Sequence, residues 1–408
     1  MELDVVLAVV GCLGVVVAAI SAAMRRLPLS EPLLGLTAGV LLGPELLGVL
    51  ALEPLTAEAS TLHEAARMLL AISVMAVALR YPISEIRGQW RAVTLLLVVA
   101  MPVMAAVTAG LTWLLLPVTA ATAALIGAAL CPTDPVLASS VVTGKDAERD
   151  LPARDRQLLS LESGANDGLA LPLVLAAVAV AGGLTATQAA LESVWQVLGA
   201  ILIGALGGAG GGYALRYGRR HGATESAPAL FFTIVLALGI LGLAGLAHTD
   251  GILAVFAGGL AFNLTGTGTD RTTEVSIDEA VNRFAVLPLF VLLGAALPWQ
   301  HWADLGWAGP ALALAVLAGR RLPILVLLRR PLRLALPDAL YLGWFGPVGV
   351  SALFYLTLEA DRMDLSDTVL AAGSLVLAVS TVAFGLTGVA GRVLYRRATT
   401  GPAKTATG

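Results

Sequence analysis

Glu162, Ser163, Asn166 and Asp167 interrupt a long apolar stretch within Ser160-Leu161-Glu162-Ser163-Gly164-Ala165-Asn166-Asp167-Gly168. Glu162 and Asn166 are four apart, as are Ser163 and Asp167, and Asn166 follows Ser163 by three. On a helix this spacing places all four on one side. Their oxygens suit a proton or a hard cation. A carboxylate in a membrane costs roughly 2.5–3.5 kcal/mol on insertion scales, so such groups are expected to face a cavity or a partner. The alternative is a helix that begins at the membrane interface and leaves Glu162 and Ser163 wet.

A second polar cluster weighs against that alternative. Cys131-Pro132-Thr133-Asp134-Pro135 lies in the middle of another apolar run. Two prolines three apart remove two backbone donors and disfavour helix at the residues before them. The chain is expected to unwind here, with Pro135 opening a new half-helix and Asp134 as its N-cap. Unwound backbone at this depth is tolerated only where it lines a protein-buried or watery cavity. Thr133 offers a carbonyl or hydroxyl to a cation there. A proline kink with Asp134 as a purely structural cap is the other reading, and cap and ligand do not exclude each other.

Gly343-Trp344-Phe345-Gly346-Pro347-Val348-Gly349-Val350-Ser351 permits a second break. Interrupted helices in corresponding positions of two halves point to a secondary transporter with inverted repeats. Arg320 and Arg321 fall midway along the span between them. One of the two should be paired inside the protein, and Glu162 is the natural partner. If that span starts late, both instead snorkel to an interface.

The elements that must position these groups follow from composition. Of 408 residues, 58% are hydrophobic and 13% charged, against about 25% charged in a soluble domain. Mean hydropathy is +0.87. The apolar runs are continuous rather than alternating, so an all-α polytopic membrane protein is expected and a β-barrel is not. About thirteen spans of roughly 20 residues are expected, near 4–24, 33–50, 62–80, 92–115, 119–142, 157–181, 191–214, 228–247, 250–265, 281–299, 308–328, 337–358 and 367–393. Spans 1–6 and 8–13 would form the two halves, and span 7 would link them.

Charge placement orients them. The first residues are acidic where a signal peptide would be basic, so none is expected. With the N-terminus outside, 21 of the 25 Lys and Arg fall on inner segments, from Arg25 and Arg26 through Lys145, Arg149, Arg154 and Arg156 to Arg392, Arg396, Arg397 and Lys404. The asymmetry places the C-terminus inside. Outer loops carrying Glu53, Glu58, Glu359 and Asp361 are acidic. Cys12 and Cys131 sit in apolar runs and imply no disulfide. The glycine run 207–212 lacks a following Gly-Lys-Ser/Thr and suits close helix packing, not phosphate. The four histidines are scattered singly, so no metal site beyond a monovalent cation is expected.

Thr133-Asp134-Pro135 in one span and Glu162-Ser163-x-x-Asn166-Asp167 in the next resemble the monovalent cation–proton antiporter superfamily. The Gly-Trp-Phe-Gly-Pro segment at 343–347 and the arginine after Gly319 extend the likeness over nearly the whole chain. The Asn166-Asp167 pair resembles the electroneutral sodium/proton branch, where electrogenic relatives carry two adjacent aspartates. The resemblance implies two crossed discontinuous helices and a homodimer. Its core part would cover approximately 92–181 and 308–393, its dimerisation part approximately 1–80 and 228–299, and its linker helix approximately 191–214. It implies that Asp167 takes cation and proton alternately. Ser163 and the Thr133 backbone would help coordinate the ion, and Asp134 would compensate half-helix dipoles or join the site. Asn166 would stabilise the crossing, and Glu162 would pair with Arg320 in preference to Arg321.

The chain departs from the family pattern twice. Many relatives have Arg where Val348 stands. Some use a third-span glutamate, but here Glu64 is near the outer end and Ser73 and Met75 occupy the middle.

The expectation is a sodium/proton antiporter, not an enzyme, with no cofactor and with Na+ (or Li+ or K+) and H+ as transported ions. Potassium/proton exchange on the same scaffold is the alternative. A cation channel is the runner-up from another class, against which the absence of repeated pore segments counts. The partners are the lipid bilayer and a second copy, with no nucleic acid. The expected location is the plasma membrane of a prokaryote.

Overall fold

Backbone in lipid must satisfy its own hydrogen bonds, and the regular structure in the described residues is entirely helical. The structure, a computed structural model, describes residues 2–24, 30–50, 52, 55, 60–222, 229–265 and 286–399. Arg25, Arg26, Glu53, Glu58, Arg271, Arg283 and Lys404 lie outside them, as do 281–285 of the tenth expected span. Among the described residues, six stretches are long and apolar enough to cross a membrane: Leu62–Leu79, Ile83–Leu115, Ala153–Val180, Ala186–Arg220, Ala308–Leu328 and Asp367–Thr399. Shorter apolar helices, among them Glu31–Leu42, Ala120–Ala129 and Gly251–Thr265, pack with them. The result is an all-helical, multi-span membrane fold.

Helix breaks, not helices, build the centre. Ala120–Ala129 ends where Cys131 and Pro132 intervene, and Pro135–Val142 resumes after Asp134. Leu336–Trp344 ends before Gly346-Pro347, and Val350–Arg362 resumes after Gly349. A third break lies inside the span expected over 308–328, which the structure gives as Ala308–Leu328. Ala308–Gly319 stops, and Leu322–Leu328 begins with Pro323 in its first turn. Pro323 offers no amide, and its ring would clash with the Gly319 carbonyl four residues back. Arg320 and Arg321 therefore sit at a junction.

The helix carrying the polar quartet, Ala153–Leu169, is enclosed. Every residue from Gln157 to Gly168 is buried, which removes the reading of a wet interfacial start. One flank lies against Gly251–Thr265. At Gly168 an added Cβ would stand 2.7 Å from the Leu253 amide nitrogen, so only glycine admits this approach. On the far side of Gly251–Thr265, the long helix Ala186–Arg220 brings Gly204 and Gly208 against the carbonyls of Ala254 and Gly258. The glycine run is thus a packing seam.

Candidate functional site

The first two breaks meet. The Asp134 amide donates to the Pro347 carbonyl at 2.9 Å. Asp134 Oδ1 accepts from the Leu137 amide at 2.7 Å, capping Pro135–Val142. Its Oδ2 accepts from the amides of Val350 and Ser351 at the start of the other half-helix. One carboxylate therefore serves two helix N-termini, where negative charge is favoured. Gly349 makes room for it: a Cβ there would sit 2.7 Å from Asp134 Oδ2.

Arg320 does the converse. Its Nη1 donates to the carbonyls of Leu130, Cys131 and Pro132 at 2.7, 2.9 and 3.0 Å, and its Nη2 donates to Gly346 at 2.6 Å. These carbonyls follow the ends of Ala120–Ala129 and Leu336–Trp344. They have lost their intrahelical donors and carry the negative end of each dipole. Four acceptors thus surround one buried cation.

Arg320 is consequently committed, and the expected Glu162–Arg320 pair is corrected to Glu162–Arg321. Arg321 Nη1 and Nη2 meet Glu162 Oε1 and Oε2 at 2.7 and 2.8 Å, a bidentate pair, and its Nε donates to Leu342 O at 3.0 Å. Asn166 Nδ2 donates to Glu162 Oε1 at 3.0 Å. Thr133 Oγ1 accepts from Arg321 at 2.8 Å and lies 3.4 Å from Glu162. The Glu162 and Arg321 charges are matched in this cluster, while Asn166 Oδ1 is left without a partner.

Asp167 is treated differently. It is fully buried, and neither carboxylate oxygen has a hydrogen-bond partner. Asp134, Ser351, Glu162 and Asp250 are among the groups near enough to act on it. Three of those are carboxylates. The fourth, Ser351, is a hydroxyl within reach of the Asp167 carboxylate but outside hydrogen-bond geometry to it or to any other group. Tyr355 OH donates to the main-chain carbonyl of Asp167. Such an arrangement holds an acidic group in place and leaves its oxygens vacant for a proton or a hard cation.

The residues singled out in the sequence thus divide. Asn166 and the Thr133 hydroxyl go to Glu162. Ser163 Oγ donates to Ser160 O at 3.1 Å, within its own helix. Asp134 goes to helix ends. Ser351 and Tyr355 were not picked out as site residues. Their signal was a spacing of four on the half-helix after the second break, which puts both on the face toward Asp167. Val348, at the position of the family arginine, is buried, and its amide donates to Ser380 Oγ at 2.9 Å.

A cavity of about 500 Å³ opens beside the C-terminal end of this helix. Leu171, Asp250, His63, Glu192 and Arg362 are among its lining residues. Glu192 and Arg362 pair across it at 2.7 Å. His63 Nδ1 lies 2.8 Å from Thr357 Oγ1.

Comparison with known proteins adds to this geometry. A family model described as sodium/hydrogen exchanger, transmembrane, matches residues 13–395. Na(+)/H(+) antiporter 2 of Zygosaccharomyces rouxii is 31% identical over 319 residues, covering 74% of this chain and 39% of that protein. A Na(+)/H(+) antiporter of Saccharomyces cerevisiae is 30% identical over 322 residues, covering 74% and 32%. The chain therefore spans less than half the length of these fungal relatives. The structure of the sodium proton antiporter MjNhaP1 from Methanocaldococcus jannaschii at pH 8 superposes with a TM-score of 0.74 at 19% identity, over 97% of this chain and 99% of that one. An electron-microscopy structure of the same protein gives 0.76 at 18%, over 99% and 100%. The fold is shared from end to end.

Proposed function

The chain belongs to the sodium/hydrogen exchanger family, and we propose that it is a secondary active antiporter that exchanges Na+ for H+ at Asp167. One observation carries the reading: Asp167 is buried where two broken helices meet, and both its oxygens are unclaimed. A buried ionised carboxylate without a partner is costly, and either a proton or a cation relieves the cost. The two ligands therefore compete for one group. If the surrounding helices move only when Asp167 is neutralised, each passage carries one ligand or the other, and exchange is obligatory. One cation against one proton moves no net charge, so transport is electroneutral.

The other roles follow from the same geometry. Asp134 and Arg320 compensate the four helix ends that the breaks expose, and Glu162 with Arg321 locks the crossing. The two crossed, discontinuous helices belong to inverted repeats in a fold of about thirteen spans. A core part near 92–181 and 308–393 moves against a dimerisation part near 1–80 and 228–299, joined by the helix at 191–214. The protein works as a homodimer in the plasma membrane, N-terminus outside and C-terminus inside, as the basic residues favour. The cavity beside Leu171 and Asp250 supplies a route toward Asp167 when the core is turned to that side.

The test is proton flux in proteoliposomes carrying a pH gradient, with Na+, Li+ and K+ added in turn. Cation-dependent dissipation that is lost in Asp167→Asn supports antiport and ranks the ions. A response to K+ alone would make it a potassium/proton exchanger. Flux that does not saturate would favour a channel. No response to any cation from folded protein between pH 6 and 9, about a unit or more either side of neutrality, would remove the reading.

A further inference from the structure

A buried serine in a helix ordinarily donates its hydroxyl to the carbonyl three or four residues back. This chain follows that habit repeatedly. Ser193 donates to Ala189 O at 2.7 Å, Thr357 to Leu353 O at 2.9 Å and Thr381 to Leu377 O at 3.0 Å. Ser351 does not. It is fully buried, and its Oγ is without a partner.

The cause lies in the second break. Four residues before Ser351 is Pro347, whose carbonyl already accepts the Asp134 amide at 2.9 Å. Gly349, at φ −152° and ψ −131°, turns the preceding chain off the helical path. The carbonyls that would normally receive the hydroxyl are therefore aimed elsewhere. Its amide is also spoken for, donating to Asp134 Oδ2 at 3.4 Å. The side chain is left beside Asp167, whose two oxygens are likewise unclaimed. Orphaned buried polar groups are rare because each costs free energy. Two of them as neighbours from different helices mark a place for a shared ligand.

We infer that Ser351 is a ligand of the transported cation, supplying the hydroxyl oxygen that completes the site around Asp167. The inference rests on the proposed role of Asp167. A neutral hydroxyl adds an oxygen without adding charge, so one proton still balances one monovalent cation. When the cation leaves, rotation about the Cβ–Oγ bond of Ser351 lets the hydroxyl donate to Asp167. When the cation returns, the same rotation presents lone pairs to it. The contact is made by the half-helix Val350–Arg362, so cation binding ties that half-helix to the Ala153–Leu169 helix.

The experiment compares Ser351→Ala, Ser351→Thr and Ser351→Cys with wild type and Asp167→Asn, each as full-length protein. Two readouts are taken: the apparent KM for Na+ and Li+ in proteoliposomes, and the rise in melting temperature that each ion produces in detergent. Ser351→Ala is expected to raise KM about three- to tenfold, as loss of one polar ligand does, with the saturating rate little changed. Ser351→Thr keeps the oxygen and should stay near wild type. Ser351→Cys keeps the volume but offers a soft sulfur, so it should bind Na+ and Li+ poorly while folding normally; it serves if the alanine variant does not fold. Unchanged KM and unchanged ion-induced stabilisation in both Ala and Cys variants would overturn the inference, as would a Thr variant as impaired as Ala. Asp167→Asn separates the two levels. If it loses the ion-induced shift and the Ser351 variants do not, only the Ser351 assignment fails. If it keeps the shift, the Asp167 reading fails and Ser351 with it.

Discussion

Glu162 and Asp167 are five residues apart on one helix, equally buried and equally acidic, yet their surroundings are opposite. Glu162 meets both nitrogens of the Arg321 fork, the Asn166 amide and the Thr133 hydroxyl. Asp167 meets none of these, and its carboxylate is left open. A carboxylate whose lone pairs are filled by protein cannot exchange ligands without breaking structure. One whose lone pairs are empty can. The helix thus gives the same chemical group two surroundings: Glu162 ties the breaks together, and Asp167 is left open, as the proposed exchange requires.

The largest expected effect bears on the open member. Asp167→Asn should abolish cation-dependent proton flux in proteoliposomes while the melting temperature stays at or above wild type, because the substitution removes an unpaired buried carboxylate. Retained flux would erase the distinction between the two residues. The saturated member should respond in the reverse manner. Arg321→Ala leaves Glu162 charged and without its counter-ion and should cost about 3–5 kcal/mol of stability. Removing both partners, as in Glu162→Leu with Arg321→Met, should be markedly milder than either single change, since no lone charge remains. Chemical or thermal denaturation of the three variants checks this. A double variant as damaged as the sum of the singles would mean the pair does more than neutralise itself.

Arg320 gives the next step down. Its four carbonyl contacts are spread around one planar fork, which a lysine ammonium cannot reproduce. Arg320→Lys keeps the charge near the helix ends but leaves acceptors unmatched, at a cost of about 1–3 kcal/mol. If Lys were as stable as Arg, charge alone would be sufficient there. If Lys were as damaging as Arg321→Ala, the two arginines would share one role.

What the sequence disclosed depends on how local each cause is. The breaks at 131–134 and 346–349 were legible because proline and glycine act on their own backbone. The quartet at 162–167 stood out because carboxylates are rare in apolar runs. The break between Gly319 and Leu322 was hidden: two arginines drew attention to charge, while Pro323 set the geometry. The preference for Arg320 came from the family resemblance, whereas the spacing left both arginines open, and only the packed structure shows that the carbonyls of both breaks claim Arg320. Ser351 was less visible still. Its free hydroxyl depends on Pro347 having given its carbonyl to Asp134, a residue more than two hundred positions earlier.

The smallest effect concerns how the open carboxylate is held. Glu162 is fixed through its side chain, whereas the hydroxyl of Tyr355 fixes Asp167 through its main-chain carbonyl. That carbonyl lies in the last turn of Ala153–Leu169, where acceptors begin to lose intrahelical donors. Tyr355→Phe deletes the contact and little else, so the stability loss should be about 0.5–1.5 kcal/mol. Because the side chain of Asp167 is free, its position is set by this backbone tether and by packing. Loosening the tether should therefore raise the apparent KM for cation a fewfold, more than it slows the saturated rate. A thermal shift together with a KM change supports a backbone-held carboxylate. Unaltered transport despite the lost stability would mean that packing alone, notably Gly168 against Leu253, positions Asp167.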